Sequence, residues 1–109
     1  MQRKHSWRII KDMHICIVSH EYPKKGYAHG GIGSFLKTIA PKLVANGVQV
    51  TIVGLNYTNV YEYEEDKGVK IHRLSYFNKR GFGWYFGAKA ISNKIAEINK
   101  TNPISIVET

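Results

Sequence analysis

His14-Ile15-Cys16-Ile17-Val18-Ser19 and, after an interval of polar residues, Gly30-Gly31-Ile32-Gly33-Ser34-Phe35-Leu36 form the passage that decides the fold. The first run is short, apolar and rich in β-branched residues. Such a run fits a strand buried on both faces of a parallel sheet. Between the two stretches, Pro23, Gly26 and Gly30 punctuate a loop. From Gly31 the pattern changes period. Ile32, Phe35, Leu36, Ile39, Leu43 and Val44 recur at helical spacing and predict one apolar stripe, with Ile32 facing the core. The passage therefore reads as strand, glycine-rich turn, helix.

Working outward, Asn46-Gly47 is a helix stop. Pro41 lies inside the helical pattern and is expected to kink or shorten its last turns. Val48 to Val53 reads as a second strand, and Asn56 to Lys67 as a linker over the surface. Val69-Lys70-Ile71-His72-Arg73-Leu74 mixes apolar and polar residues, as a strand nearer a sheet edge does. A second loop runs from Asn78 to Gly83. Trp84, Ala88, Ile91, Ile95 and Ile98 then mark a second helix, which Asn102-Pro103 closes. Ile104 to Val107 begins a fourth strand. The order is β, α, β, β, α, β. It predicts an α/β fold with a Rossmann-like parallel sheet and flanking helices. Residues 1–12 read as a polar, basic lead-in and 13–109 as the domain. A final strand with no helix after it leaves a sheet face or edge uncovered, so the expectation is a fragment of a longer protein.

With 109 residues the chain has room for one domain of ordinary size. Its net charge of +8 favours an anionic partner, though a solvated basic surface explains the same excess. The lone cysteine, Cys16, cannot close an internal disulfide, and its apolar neighbours predict a buried small side chain rather than a nucleophile. There is no transmembrane-length apolar stretch, and the basic N-terminus lacks the apolar core of a secretory signal. A cytoplasmic location is the resulting expectation.

The chemistry is expected at Gly30-Gly31-Ile32-Gly33. In open α/β sheets ligands bind beyond the carboxyl ends of the strands. A helix N-terminus offers free N–H groups and partial positive charge, and glycine lets an anion approach the backbone. A tight strand-to-helix turn is the competing explanation of the same glycines. The spacing departs from the dinucleotide fingerprint: Ser34-Phe35 follow Gly33, and the second strand leads into Gly54-Leu55-Asn56 rather than an acidic residue. No Gly-Lys-Ser/Thr follows, so a P-loop is excluded.

His14 to Pro23 followed by Gly30-Gly31-Ile32-Gly33 resembles the opening of the family 4 glycosyltransferases, which have GT-B architecture. The stretch from Leu43 through Val53 and the segment Gly68 to Leu74 are similar to the same family. The resemblance spans about residues 13–109. It implies the incomplete N-terminal, acceptor-side half of an enzyme with two Rossmann-like domains, the donor domain being absent. It also implies retaining transfer of a sugar from a nucleotide-sugar donor to a saccharide or lipid-linked acceptor, in cell-surface polysaccharide or glycolipid synthesis. No cofactor or metal is implied, since the nucleotide-sugar is a substrate. Contact with donor diphosphate or sugar is carried onto Gly30, Gly31 and Gly33. The family's catalytic residues are expected beyond Thr109, so this stretch is expected to be inactive alone.

His20 and Glu21 lie in the first loop, where the resemblance implies contact with acceptor; solvent-exposed loop residues are the plainer reading. With His29 they could bind metal, but their spacing does not favour it. Lys24 and Lys25 are either solvated or near an anionic acceptor. Lys79, Arg80 and Trp84, among further aromatics, suit a peripheral membrane contact at the inner face or an acceptor surface, and equally the packing of the second helix. His72 is assigned a structural role. A nucleic-acid partner has only charge in its favour, and none is expected. The alternative to an enzyme is a non-catalytic Rossmann-like module that binds a nucleotide or a partner.

Overall fold

A computed structural model of the chain describes residues 13–20, 22–24, 26, 30–56, 58, 60–75 and 83–108, excepting the side chains of 83–86. Seven elements follow one another: β1 (His14–Val18), α1 (Gly31–Ala45), β2 (Gln49–Leu55), β3 (Glu62–Asp66), β4 (Val69–Leu74), α2 (Gly83–Thr101) and β5 (Ile106–Glu108). The sheet order is β3-β4-β2-β1-β5. Strands β4, β2, β1 and β5 run parallel, and β3 pairs antiparallel with β4 at one edge. Counted alone, the parallel strands have the order 3-2-1-4. The chain thus winds outward from β1 in one direction and returns through α2 to the other side. That reversal places a topological switch point between β1 and β5.

One helix covers part of each sheet face. Alternation along β2 and β4 sends Val50, Ile52, Val69 and Ile71 towards α1, where Leu36 and Ala40 complete a buried cluster. Cys16, Val53 and Leu74 point the opposite way and meet Ile91, Ile95 and Ile98 of α2. Cys16 is fully buried, and burial pushes its thiol pKa up, which disfavours the nucleophilic thiolate.

The ends of the elements follow local chemistry. Gly47 adopts φ +90°, its N–H bonds the Val44 carbonyl, and the Val48 N–H reaches the Leu43 carbonyl. This double bond pattern closes a helix on a left-handed residue, which glycine adopts without Cβ strain. Pro41 does not shorten α1: the helix runs through it to Ala45. A proline there forfeits only the bond to Lys37, and packing of both flanking turns holds the helix together.

Three expectations are corrected. The stretch read as a surface linker contains a strand, β3. Its sequence, Glu-Tyr-Glu-Glu-Asp, has poor strand propensity. It forms because Lys67 and Gly68, at φ 52° and 86°, make a two-residue turn with both central residues left-handed. Ile32 does not face the core: it is 60% exposed, and Phe35 is 64% exposed. The buried line of α1 runs through Gly33, Leu36 and Ala40 instead, because the small residues let the helix approach the sheet. A hydrophobic pattern weights bulk and misses that rotation. Ala88, placed in the buried stripe of the second helix, is exposed. Edge strand β5 is exposed along its length. No helix among the described residues is long and apolar enough to cross a membrane.

Candidate functional site

At the carboxyl ends of the parallel strands, the chain leaves β1 at Ser19 and enters α1 at Gly30. Gly30 is extended (φ −93°, ψ −168°) and caps no first-turn N–H with a side chain. The first turn holds no acidic residue. Among the described residues, no capping side chain and no first-turn carboxylate answers its N–H groups. A Cβ at Gly31 would meet nothing within 4 Å, so the backbone there is open to approach. Gly33 is buried, by contrast, and belongs to the packed side of the helix. Of the three glycines, Gly30 and Gly31 are exposed and Gly33 is buried.

His20 is exposed, but it is not a free loop residue. Its Nδ1 accepts a hydrogen bond from the Leu55 N–H at 2.8 Å. A ring so held carries its single proton on Nε2, which is left as a donor at this end of the sheet. The His20 segment also passes very close to β2: a Cβ on Gly54 would lie 2.0 Å from the Ser19 carbonyl oxygen. Gly54 thus sets how tightly the mouth of β1 sits on β2.

The stem of the same loop is stapled to the β3–β4 hairpin. Tyr22 is buried and donates to Asp66 Oδ2 at 2.6 Å, while Lys37 of α1 reaches the same oxygen at 3.0 Å. Lys24 pairs with Glu62 at 2.5 Å and donates to Asn56 Oδ1 at 2.9 Å. Arg73, 6% exposed, pairs with Glu64 at 2.6 Å and donates to the Pro23 carbonyl at 3.1 Å. Buried Asn56 completes the lattice, donating to Thr58 Oγ1 and to the Val60 carbonyl. The Lys24 side chain is only 16% exposed and is ion-paired, which corrects the reading of it as a solvated lysine. Sequence reasoning missed these positioning residues. The acidic run of β3 facing Lys24, Lys37 and Arg73 becomes legible only once the hairpin is known.

The hydrogen bond from Tyr22, with help from Lys37, holds the Asp66 carboxyl below its ordinary range. The Tyr22 hydroxyl is pushed up, first by burial and then by Asp66. Because Asp66 is depressed, its contribution is fully present above about pH 4, the ordinary carboxylate value, and is lost as pH falls through its lowered one. Tyr22→Phe is expected to cost about 1–2 kcal/mol near neutrality. Urea titrations over a pH series should show that penalty shrinking in acid; a penalty constant with pH would refute the role given to the Tyr22–Asp66 bond.

Glu21, Lys25, His29, Lys79 and Arg80 lie outside the described residues. Trp84 falls in the first turn of α2, but its side chain is likewise outside them. At this end of the sheet the described groups offer an electropositive helix start, a glycine surface and an imidazole donor. That set can hold an anion and a hydroxylated ligand. No protein-family model, curated protein or solved structure matches the chain.

Proposed function

We propose that this chain is the N-terminal, acceptor-side part of a retaining glycosyltransferase of GT-B architecture, moving a sugar from a nucleotide-sugar to a saccharide or lipid-linked acceptor. The observation that carries the reading is the start of α1. Gly30 and Gly31 open a helix with no capping side chain and no acid in its first turn, beside the switch point of a parallel sheet. A diphosphate leaving group develops negative charge as the glycosidic bond breaks, and N–H groups fixed at a helix end stabilise such charge without reorganising. The stapled loop stem supports that fixity. His20, with Nε2–H available, is suited to orient an acceptor hydroxyl or a donor oxygen.

Gly31 offers the cleanest test because open space surrounds it. Gly31→Ala should fold normally, since alanine favours the helix. In the product of the whole reading frame that contains this chain, nucleotide release and sugar transfer would be followed with UDP- and GDP-sugars. Loss of one good bond to a charged phosphate predicts a fall in kcat/KM of about tenfold or more for Gly31→Ala. Gly33→Val should abolish donor use, but burial of Gly33 means that a loss there mixes folding with binding. Transfer unchanged in Gly31→Ala would sink the role of the helix start. Absence of transfer from any nucleotide-sugar, together with tight binding of UDP by the chain, would replace the enzyme with a nucleotide-binding module.

A further inference from the structure

On the α2 side of the sheet, away from the glycine turn, lies a concavity of about 330 Å³. Among the described residues, α2 packs over Cys16 of β1, Val53 of β2 and Leu74 at the end of β4, and the concavity opens beside it over Lys70, His72 and Tyr63. Lys70 and His72 rise into it from β4, Tyr63 from β3, and Lys94 and Glu97 from α2. We propose that this concavity binds a phosphate-class oxyanion through Lys70, Lys94 and His72.

The donors come from two elements and converge. Lys94 lies over the Tyr61 ring, 4.9 Å from its centroid, with its side chain only 18% exposed. Its pair with Glu97 is loose, at 3.5 Å, and Glu97 is 73% exposed. Lys70 stands across the strand pair from Glu65 yet makes no ion pair among the described residues. His72 is fixed from behind: its ring packs on Tyr63 at 4.9 Å between centroids, and its Nδ1 lies 2.8 Å from the Tyr61 hydroxyl. A hydroxyl donating to Nδ1 leaves the ring proton on Nε2, a third donor. Two ammonium groups and one N–H around one open hollow match the several oxygens of a phosphate. The groups facing His72 are Tyr61, Tyr63, Lys70, Lys94 and Glu97, and of these only Glu97 opposes an anion.

Burial lowers the His72 pKa and the charge of Lys94 lowers it further; Glu97 opposes them, and Lys70 adds a still smaller lowering. A bound phosphate reverses the sign of the local field, so it must raise that pKa, and protonation of His72 must in turn tighten the anion. The test is the pH titration of the His72 ring protons by NMR, assigned with His72→Gln, in sodium phosphate and in sodium chloride of equal ionic strength. The midpoint should be higher in phosphate. Lys70→Ala, at an exposed position, should weaken the apparent affinity about tenfold. Glu97→Gln should strengthen it. Identical midpoints in the two salts, or a phosphate effect that survives Lys70→Ala unchanged, would overturn the proposal.

Discussion

Gly54→Ala is expected to destabilise the chain by more than about 3 kcal/mol, or to prevent it from folding. The added Cβ would lie 2.0 Å from the Ser19 carbonyl oxygen, 2.7 Å from its carbonyl carbon and 3.1 Å from His20 Cα. All three are backbone atoms, so no rotamer change can relieve the overlap. The Ser19 N–H is itself bonded to the Val53 carbonyl at 3.0 Å, and the neighbouring Leu55 N–H to His20. Moving the segment away therefore breaks the bonds that join β1 to β2. Overpacking generally costs about 1–3 kcal/mol where side chains can yield, and more where they cannot. Against a whole stability of roughly 5–15 kcal/mol, that loss is large. Gly68→Ala makes a useful comparison. Its Cβ would meet Val44 Cγ1 at 2.6 Å, a side-chain atom, though φ of +86° adds backbone strain. Urea unfolding of both variants checks the argument: a Gly54→Ala midpoint equal to that of the parent would refute the close approach. Any partly folded Gly54→Ala protein should also lose the donor binding we propose at the glycine turn, because Ser19 and His20 begin the loop that leads there.

The second large effect belongs to His14. This side chain is 2% exposed and sits at the opposite end of β1 from the candidate site. Its Nε2 lies 2.7 Å from Thr51 Oγ1, and its Nδ1 lies 3.2 Å and 3.3 Å from the carbonyls of Asn102 and Pro103. Carbonyls only accept, so Nδ1 carries the proton and Nε2 accepts from the threonine hydroxyl. The His14 N–H also donates to Ser105 Oγ, and its carbonyl accepts from the Ser105 N–H. One residue thus links the first strand to β2 and to the turn that feeds β5. His14→Ala removes the ring, leaves a cavity and strands buried partners on both sides. The expected cost is about 3–4 kcal/mol. Thr51→Val keeps the shape and orphans only Nε2, at about 1–2 kcal/mol. The double variant should fall short of the sum, because both remove the same bond. Strict additivity in denaturant unfolding would show that the His14–Thr51 contact contributes nothing.

The sequence by itself determined the order of most elements and the place of the glycine turn. A continuous apolar run such as Ile15 to Val18 reads as a buried parallel strand because both faces of such a strand are covered. Asn46-Gly47 marked the end of α1 because only glycine takes its left-handed step at no cost. Gly30 to Gly33 stood out by type and position, and the structure places them at the start of α1, at the carboxyl ends of the strands. Tertiary structure decided what local pattern cannot contain. Which face of α1 is buried depended on Gly33 and Ala40 fitting against the sheet, which left the bulkier Ile32 and Phe35 in solvent. The acidic β3 is a strand because a left-handed turn returns the chain beside β4 and opposes its carboxylates to Lys24, Lys37 and Arg73. The work of His14, like the meeting of Lys70, Lys94 and His72, joins residues far apart in the chain. Such contacts depend on strand order and on how far one helix reaches across five strands, and neither is written in any single stretch of residues.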